Sequence, residues 1–149
     1  MSKLNHPKKF VVIADDDEDD RMLFFDAVTD LNLPVEVKAL EDGQQLLNAL
    51  YDSLEQLPEI IFLDINMPGK NGFDCLKEIR EADDYFKDIR VIMLSTSASS
   101  AHIELSYKMG ADFYAVKPST FQGLKNLIAN LLETDWALFT KSEKKFLLA

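Results

Sequence analysis

Asp15, Asp16 and Asp17 follow the apolar run FVVIA, Asp64 follows IIFL, Ser95 follows VIML, and Lys117 with Pro118 follows FYAV. Each is a reactive or charged group placed where a short buried strand would end. Carboxylates gathered at one edge repel one another and raise each other's pKa unless a cation lies among them. The grouping therefore implies a hard divalent ion. Mg2+ takes oxygen donors and commonly binds through one or two protein carboxylates, waters and substrate phosphate oxygens; Mn2+ accepts a similar donor set. Asp16 and Asp64 can supply the carboxylates, with Asp15 holding a coordinated water. With its charge screened, Asp64 can attack phosphorus and become an acyl phosphate. Lys117 would then pair with phosphoryl oxygens, and the Ser95 hydroxyl could donate a hydrogen bond to another.

Such a site needs strand ends that converge. Short apolar runs alternate with stretches of helical period, the pattern of a parallel sheet covered on both faces. The strands expected are Phe10 to Ala14, Val35 to Leu40, Ile60 to Leu63, Arg90 to Leu94 and Phe113 to Val116. Helices are expected at about Asp19 to Leu31, Gly43 to Leu54, Gly72 to Ala82, Ser100 to Met109 and Thr120 to Glu133. Leu23, Ala27 and Leu31 recur at four-residue spacing, as a buried helix face requires. Right-handed βα repeats of this kind build a doubly wound α/β sandwich whose reactive groups gather at the carboxyl ends of the strands. With 149 residues, 47% of them hydrophobic, one domain is expected.

Four motifs stand in order: FVVIADD, FLDINMPGKNG, VIMLST and GADFYAVKP. On these residues the chain resembles the receiver domains of two-component response regulators, the chemotaxis-type, flavodoxin-like fold. The resemblance covers residues 8–133 and implies a five-stranded parallel sheet in the order 2-1-3-4-5 with helices on both faces. By position, Asp64 matches the phosphoacceptor, Asp15 and Asp16 the acidic pair, and the Asn66 backbone carbonyl a further ligand of Mg2+. Ser95, Tyr114 and Lys117 match the switch hydroxyl, the switch aromatic and the active-site lysine. The implied donor is a histidine kinase or phosphotransfer protein. The implied output is a downstream protein bound through the face of helix 4, strand 5 and helix 5, with Tyr114 moving inward once Ser95 is recruited to the phosphoryl group. A cis Lys117–Pro118 bond is expected from the family, and Gly69 and Gly72 would relieve the backbone after Asp64. Thr96 stands where many receivers have Ala or Gly. Ser119 stands where an apolar residue is common, so Phe121 is expected to take over its packing. The LSTS stretch and Asp135-Trp136 look more like the stand-alone receivers that partner phytochrome-type kinases than like transcription factors.

Other readings are weaker. The net charge of −10, from 26 acidic and 16 basic residues, argues against gripping nucleic acid. The apolar runs are too short to span a bilayer, and MSKLNHPKK lacks a signal-peptide core, so a cytoplasmic protein is expected. Cys75 is the sole cysteine; it reads as a core residue and forms no intrachain disulfide. Asp17, Glu18, Asp19 and Asp20 read as a solvated loop and helix cap. An EF-hand loop counted from Asp15 fails, with Asp20 where Gly is needed and Asp26 where Glu is needed. The rival enzyme is a haloacid-dehalogenase-type phosphohydrolase with Asp15 as nucleophile. Against it, position 19 is Asp, no acidic pair follows Lys117, and Asp64 would have no task. His6 and His102 read as surface residues. Residues 134–149 form a C-terminal extension, expected to be helical, whose Trp136, Phe139, Phe146, Leu147 and Leu148 should dock on protein: on its own domain or, as a homodimer, on a second copy. Lys141, Lys144 and Lys145 read as a solvated face that could complement an acidic neighbour.

Overall fold

The computed structural model describes residues 9–53, 56–82 and 84–148; the expected surface residue His6, the domain's expected start at Lys8 and the helix end at Leu54 lie outside them. In chain order the strands are β1 (Lys9–Ala14), β2 (Val35–Leu40), β3 (Ile60–Leu63), β4 (Arg90–Ser95), β5 (Phe113–Val116) and β6 (Leu147–Leu148). The helices are α1 (Glu18–Leu31), α2 (Gly43–Asn48, widening to a π-helix over Ala49–Ser53), α3 (Gly72–Glu81), α4 (Ser100–Met109), α5 (Phe121–Leu132) and α6 (Glu143–Phe146).

The sheet is parallel throughout, in the order β2-β1-β3-β4-β5-β6. Five strands match the expected order, and a sixth corrects the count. That strand comes from the extension: instead of being helical along its length, it holds one short helix and then β6, in register Tyr114↔Leu147 and Ala115↔Leu148. The reason is physical. The β5 edge would otherwise present unpaired backbone groups, and the alternative of a free end would leave Phe146 in water.

Strand residues alternate between two cores, because successive side chains point to opposite faces. Val11, Ile13, Phe62, Ile92, Leu94 and Ala115 pack with α1 and α5. Val12, Ala14, Ile61, Leu63, Met93 and Tyr114 pack with α2 and α3, and with Phe146 of α6. All the central strands are apolar on both faces, so their polar groups can appear only at the ends.

Several local expectations change. On α1 the buried residues are Phe24, Ala27 and Val28, whereas Leu23 is exposed. The helix docks on the sheet through a face rotated from the one the leucine spacing suggested. Phe121 is also exposed, lying under Lys125 rather than filling space at Ser119. Lys117–Pro118 is trans, as no cis peptide bond occurs among the described residues. For an X–Pro amide trans is lower by about 0.5–1 kcal/mol, and the turn into α5 is reached with it.

Candidate functional site

The backbone ladder sets the site. Asp15 N–H donates to the Leu40 carbonyl at 3.1 Å, Asp64 N–H to the Ala14 carbonyl at 3.0 Å, and Lys117 N–H to the Ser95 carbonyl at 2.8 Å. Each bond continues the sheet one residue past a strand end, so the side chains leave β1, β3, β4 and β5 along a common edge. Gly72 lets α3 close beneath it: a Cβ there would lie 2.3 Å from the Asp64 carbonyl oxygen. Gly69 turns the preceding loop with φ +73, a region that disfavours other residues.

Asp15 and Asp64 are buried and Asp16 is exposed, with carboxylate oxygens of all three lying within 4.8 Å of one another. Lys117 reaches over them. Its Nζ donates to Asp15 Oδ2 at 2.9 Å and to Asp20 Oδ2 at 2.7 Å, and stands 3.7 Å from Asp64 Oδ2. Burial pushes the Asp64 carboxyl up to about 6; the Lys117 charge and the Asn66 backbone N–H pull it down, while Asp15 and Asp16 add to the rise. Burial by itself would lower the Lys117 ammonium, but its bonds to Asp20 and Asp15 and the nearby charges outweigh that and hold it above the usual lysine range. One ammonium therefore serves three carboxylates, Asp15, Asp20 and Asp64, and the surplus negative charge at Asp15, Asp16 and Asp64 is what an oxygen-seeking divalent cation would neutralise. The donor set fits such an ion.

Ser95 and Tyr114 meet through one residue neither was expected to share. The Ser95 Oγ accepts from Ser97 N–H at 3.1 Å, and the Tyr114 hydroxyl donates to the Ser97 carbonyl at 2.7 Å. Ser97 Oγ also lies 2.9 Å from His102 Nδ1. His102 is thus half-buried in the first turn of α4, its ring edge-on to Phe73 at 5.5 Å, rather than a bare surface residue. Tyr114 is buried: the ring is 0% exposed, held by core packing at its face and by the Ser97 carbonyl at its tip. Thr96 is exposed beside the site.

Asp15, Asp16 and Asp64 come together with Lys117 as expected, and Ser95 stands at the adjoining strand end, where its carbonyl accepts from the Lys117 N–H. Asn66 is exposed in the loop after β3, where its backbone N–H faces the Asp64 carboxylate. Sequence reasoning missed Asp20, Ser97 and His102. A signal for Asp20 was present: a side chain in a first helical turn leans back toward the helix N-terminus, which here is the site.

A family model described as the response regulator receiver domain matches residues 11–129. The chemotaxis protein CheY1 of Helicobacter pylori is 39% identical over 77 residues, which are 52% of this chain and 61% of CheY1. The response regulator Rcp1 of Synechocystis is 27% identical over 140 residues, covering 91% of this chain and 94% of Rcp1. The crystal structure of a phosphorylated cyanobacterial phytochrome response regulator, RcpA, superposes with a TM-score of 0.78 at 28% identity, over 91% of this chain and 99% of RcpA.

Proposed function

Since this chain belongs to the response regulator receiver domain family, we propose that it accepts a phosphoryl group on Asp64 from a histidine kinase or phosphotransfer protein and signals by phosphorylation-controlled protein binding. The observation that carries this is one carboxylate, Asp64, standing between an acidic pair and the Lys117 ammonium at 3.7 Å. The Asp64 oxygen forms the new bond to phosphorus as the P–N bond to the donor imidazole breaks, its electron pair staying on the ring nitrogen. Lys117 offers its ammonium to the transferred oxygens, and Ser95 offers its hydroxyl. Asp15, Asp16, Asp64 and the Asn66 carbonyl would hold Mg2+, with Mn2+ as the alternative ion. When bound, that ion supplies the positive charge that lets a carboxylate and an anionic phosphoryl group approach each other.

The phosphoacceptor unit is assigned to residues 8–133 and the extension to residues 134–149, in a cytoplasmic setting. Output leaves through the face of α4, β5 and α5. Because β6 pairs with the β5 edge, a downstream protein meets α4, α5 and the C-terminal segment rather than bare strand. The likeness along nine tenths of the chain to RcpA, a cyanobacterial phytochrome response regulator, favours a phytochrome-type sensor kinase as donor.

Radiolabelled acetyl phosphate with Mg2+ tests the assignment. Label is expected on Asp64, absent in Asp64→Asn, and strongly reduced in Asp15→Asn together with Mg2+ affinity. Label appearing on Asp15 in Asp64→Asn would instead support the phosphohydrolase reading.

A further inference from the structure

Asp20 sits in the first turn of α1, outside the expected metal-binding set, yet it makes the shortest contact of the Lys117 ammonium: 2.7 Å, against 2.9 Å to Asp15 and 3.7 Å to Asp64. A lysine has three N–H donors in one compact head. Two are committed to carboxylates on the α1 side, and at 3.7 Å the third makes no hydrogen bond to Asp64. Asp20 and Asp15 therefore leave one donor for a phosphoryl group on Asp64, and any second bond from the ammonium to that group has to displace one of them. The Lys117 side chain is 15% exposed and that of Asp20 36%, so this contact is partly shielded from water, stronger than a free surface pair and weaker than a buried one. Its neighbour Asp19 carries the same charge but is exposed, and no hydrogen bond or ion pair joins it to Lys117 among the described residues.

We infer that Asp20 is a positioning residue that competes with the phosphoryl group for Lys117, and so sets how tightly the site holds a phosphoryl group and for how long. This rests on Asp64 being the acceptor. α1 carries the competitor and β5 carries the lysine, so the strength of the competition depends on how α1 seats on the sheet. Its direction is definite: a carboxylate at position 20 weakens phosphoryl retention, and a neutral side chain there strengthens it.

The test is titration of the full chain with beryllium fluoride, a phosphoryl mimic, in saturating Mg2+, paired with the decay of 32P-labelled protein. Asp20→Asn is expected to bind beryllium fluoride about three- to tenfold more tightly and to lengthen the phosphoryl half-life by a similar factor. Asp20→Glu, which keeps the charge, should return toward the wild-type values. Asp19→Asn, with the same change in net charge and no contact to Lys117, should match wild type in both measurements. A purely structural role for Asp20 would lower the melting temperature without moving affinity and half-life together. The inference is overturned if Asp20→Asn equals wild type, if it binds more weakly, or if Asp19→Asn reproduces its effect. A wild-type protein that fails to bind beryllium fluoride would remove the acceptor assignment itself, a failure distinct from the other three.

Discussion

Asp64 illustrates how a buried carboxylate weakens the fold that holds it. Its carboxyl is pushed up to about 6 from 3.8, chiefly by burial, so the folded chain disfavours the ionised form. A raised carboxyl pKa means that the folded state binds the proton more tightly than the unfolded one. The destabilisation is therefore complete above about pH 6 and disappears as the pH falls toward about 4. In chelator, Asp64→Asn is expected to stabilise the protein by about 1–3 kcal/mol at neutral pH. Urea denaturation of both proteins at several pH values checks this: the gap should close on acidification, and a gap that widened would contradict it. Cys75 lies at the other extreme. It is buried, and its thiol is pushed up to about 12, first by burial and then by the charges of Glu78 and Asp74. It fills core space and offers no thiolate for chemistry.

At the scale of the element, the segment between β4 and α4 is pinned from both sides. Ser95 holds the Ser97 N–H and Tyr114 holds the Ser97 carbonyl, so a Ser95 hydroxyl drawn to a phosphoryl oxygen changes one of the two anchors of that loop. For the proposed switch this is a route that does not need Tyr114 to travel from outside to inside. Ser95→Ala should still accept label on Asp64, lose about 1 kcal/mol of loop stability, and fail to transmit phosphorylation to partner binding. Hydrogen exchange at the Ser97 amide would report the loosening. Unchanged phosphorylation-dependent binding would remove Ser95 from the switch.

Across the whole molecule, the C-terminal segment closes the sheet. Phe146 is 2% exposed and meets Tyr107 at 5.1 Å, while Trp136 and Phe139 both pack on Phe113. Two cations fasten it: Arg90 stands 5.2 Å from the Trp136 ring, and Lys141 donates to the Tyr107 carbonyl at 2.7 Å from a position 4.3 Å over that ring. Burial lowers the Lys141 ammonium, and the charge of Asp112 partly restores it, so this lysine belongs to the packing rather than to a solvated face. Removing residues 135–149 takes away β6, exposes the β5 edge and deletes Phe146, whose burial alone is worth about 1.5–3 kcal/mol. The truncated protein should melt at lower temperature or change its sedimentation, while Asp64 still accepts label. Melting and sedimentation curves identical to those of the full chain would show the segment to be a passenger.

The amino-acid order determined what depends on local period and on strand ends. Three strands begin and end as expected, because their flanks, Pro34 and Glu41, Glu59 and Asp64, Asp112 and Lys117, leave little latitude in where they start and stop, and Asp15, Asp64, Ser95 and Lys117 converge because parallel strands align their carboxyl ends. What it could not show depends on distance through space. Asp20 in place beside Lys117, Ser97 shared by two side chains, Leu23 turned outward and Leu147 paired with Tyr114 each join residues from different elements, or depend on how one element is rotated against another. Such choices follow from which packing buries the most apolar surface while leaving few buried polar groups unpaired, a balance decided only when the whole chain is assembled.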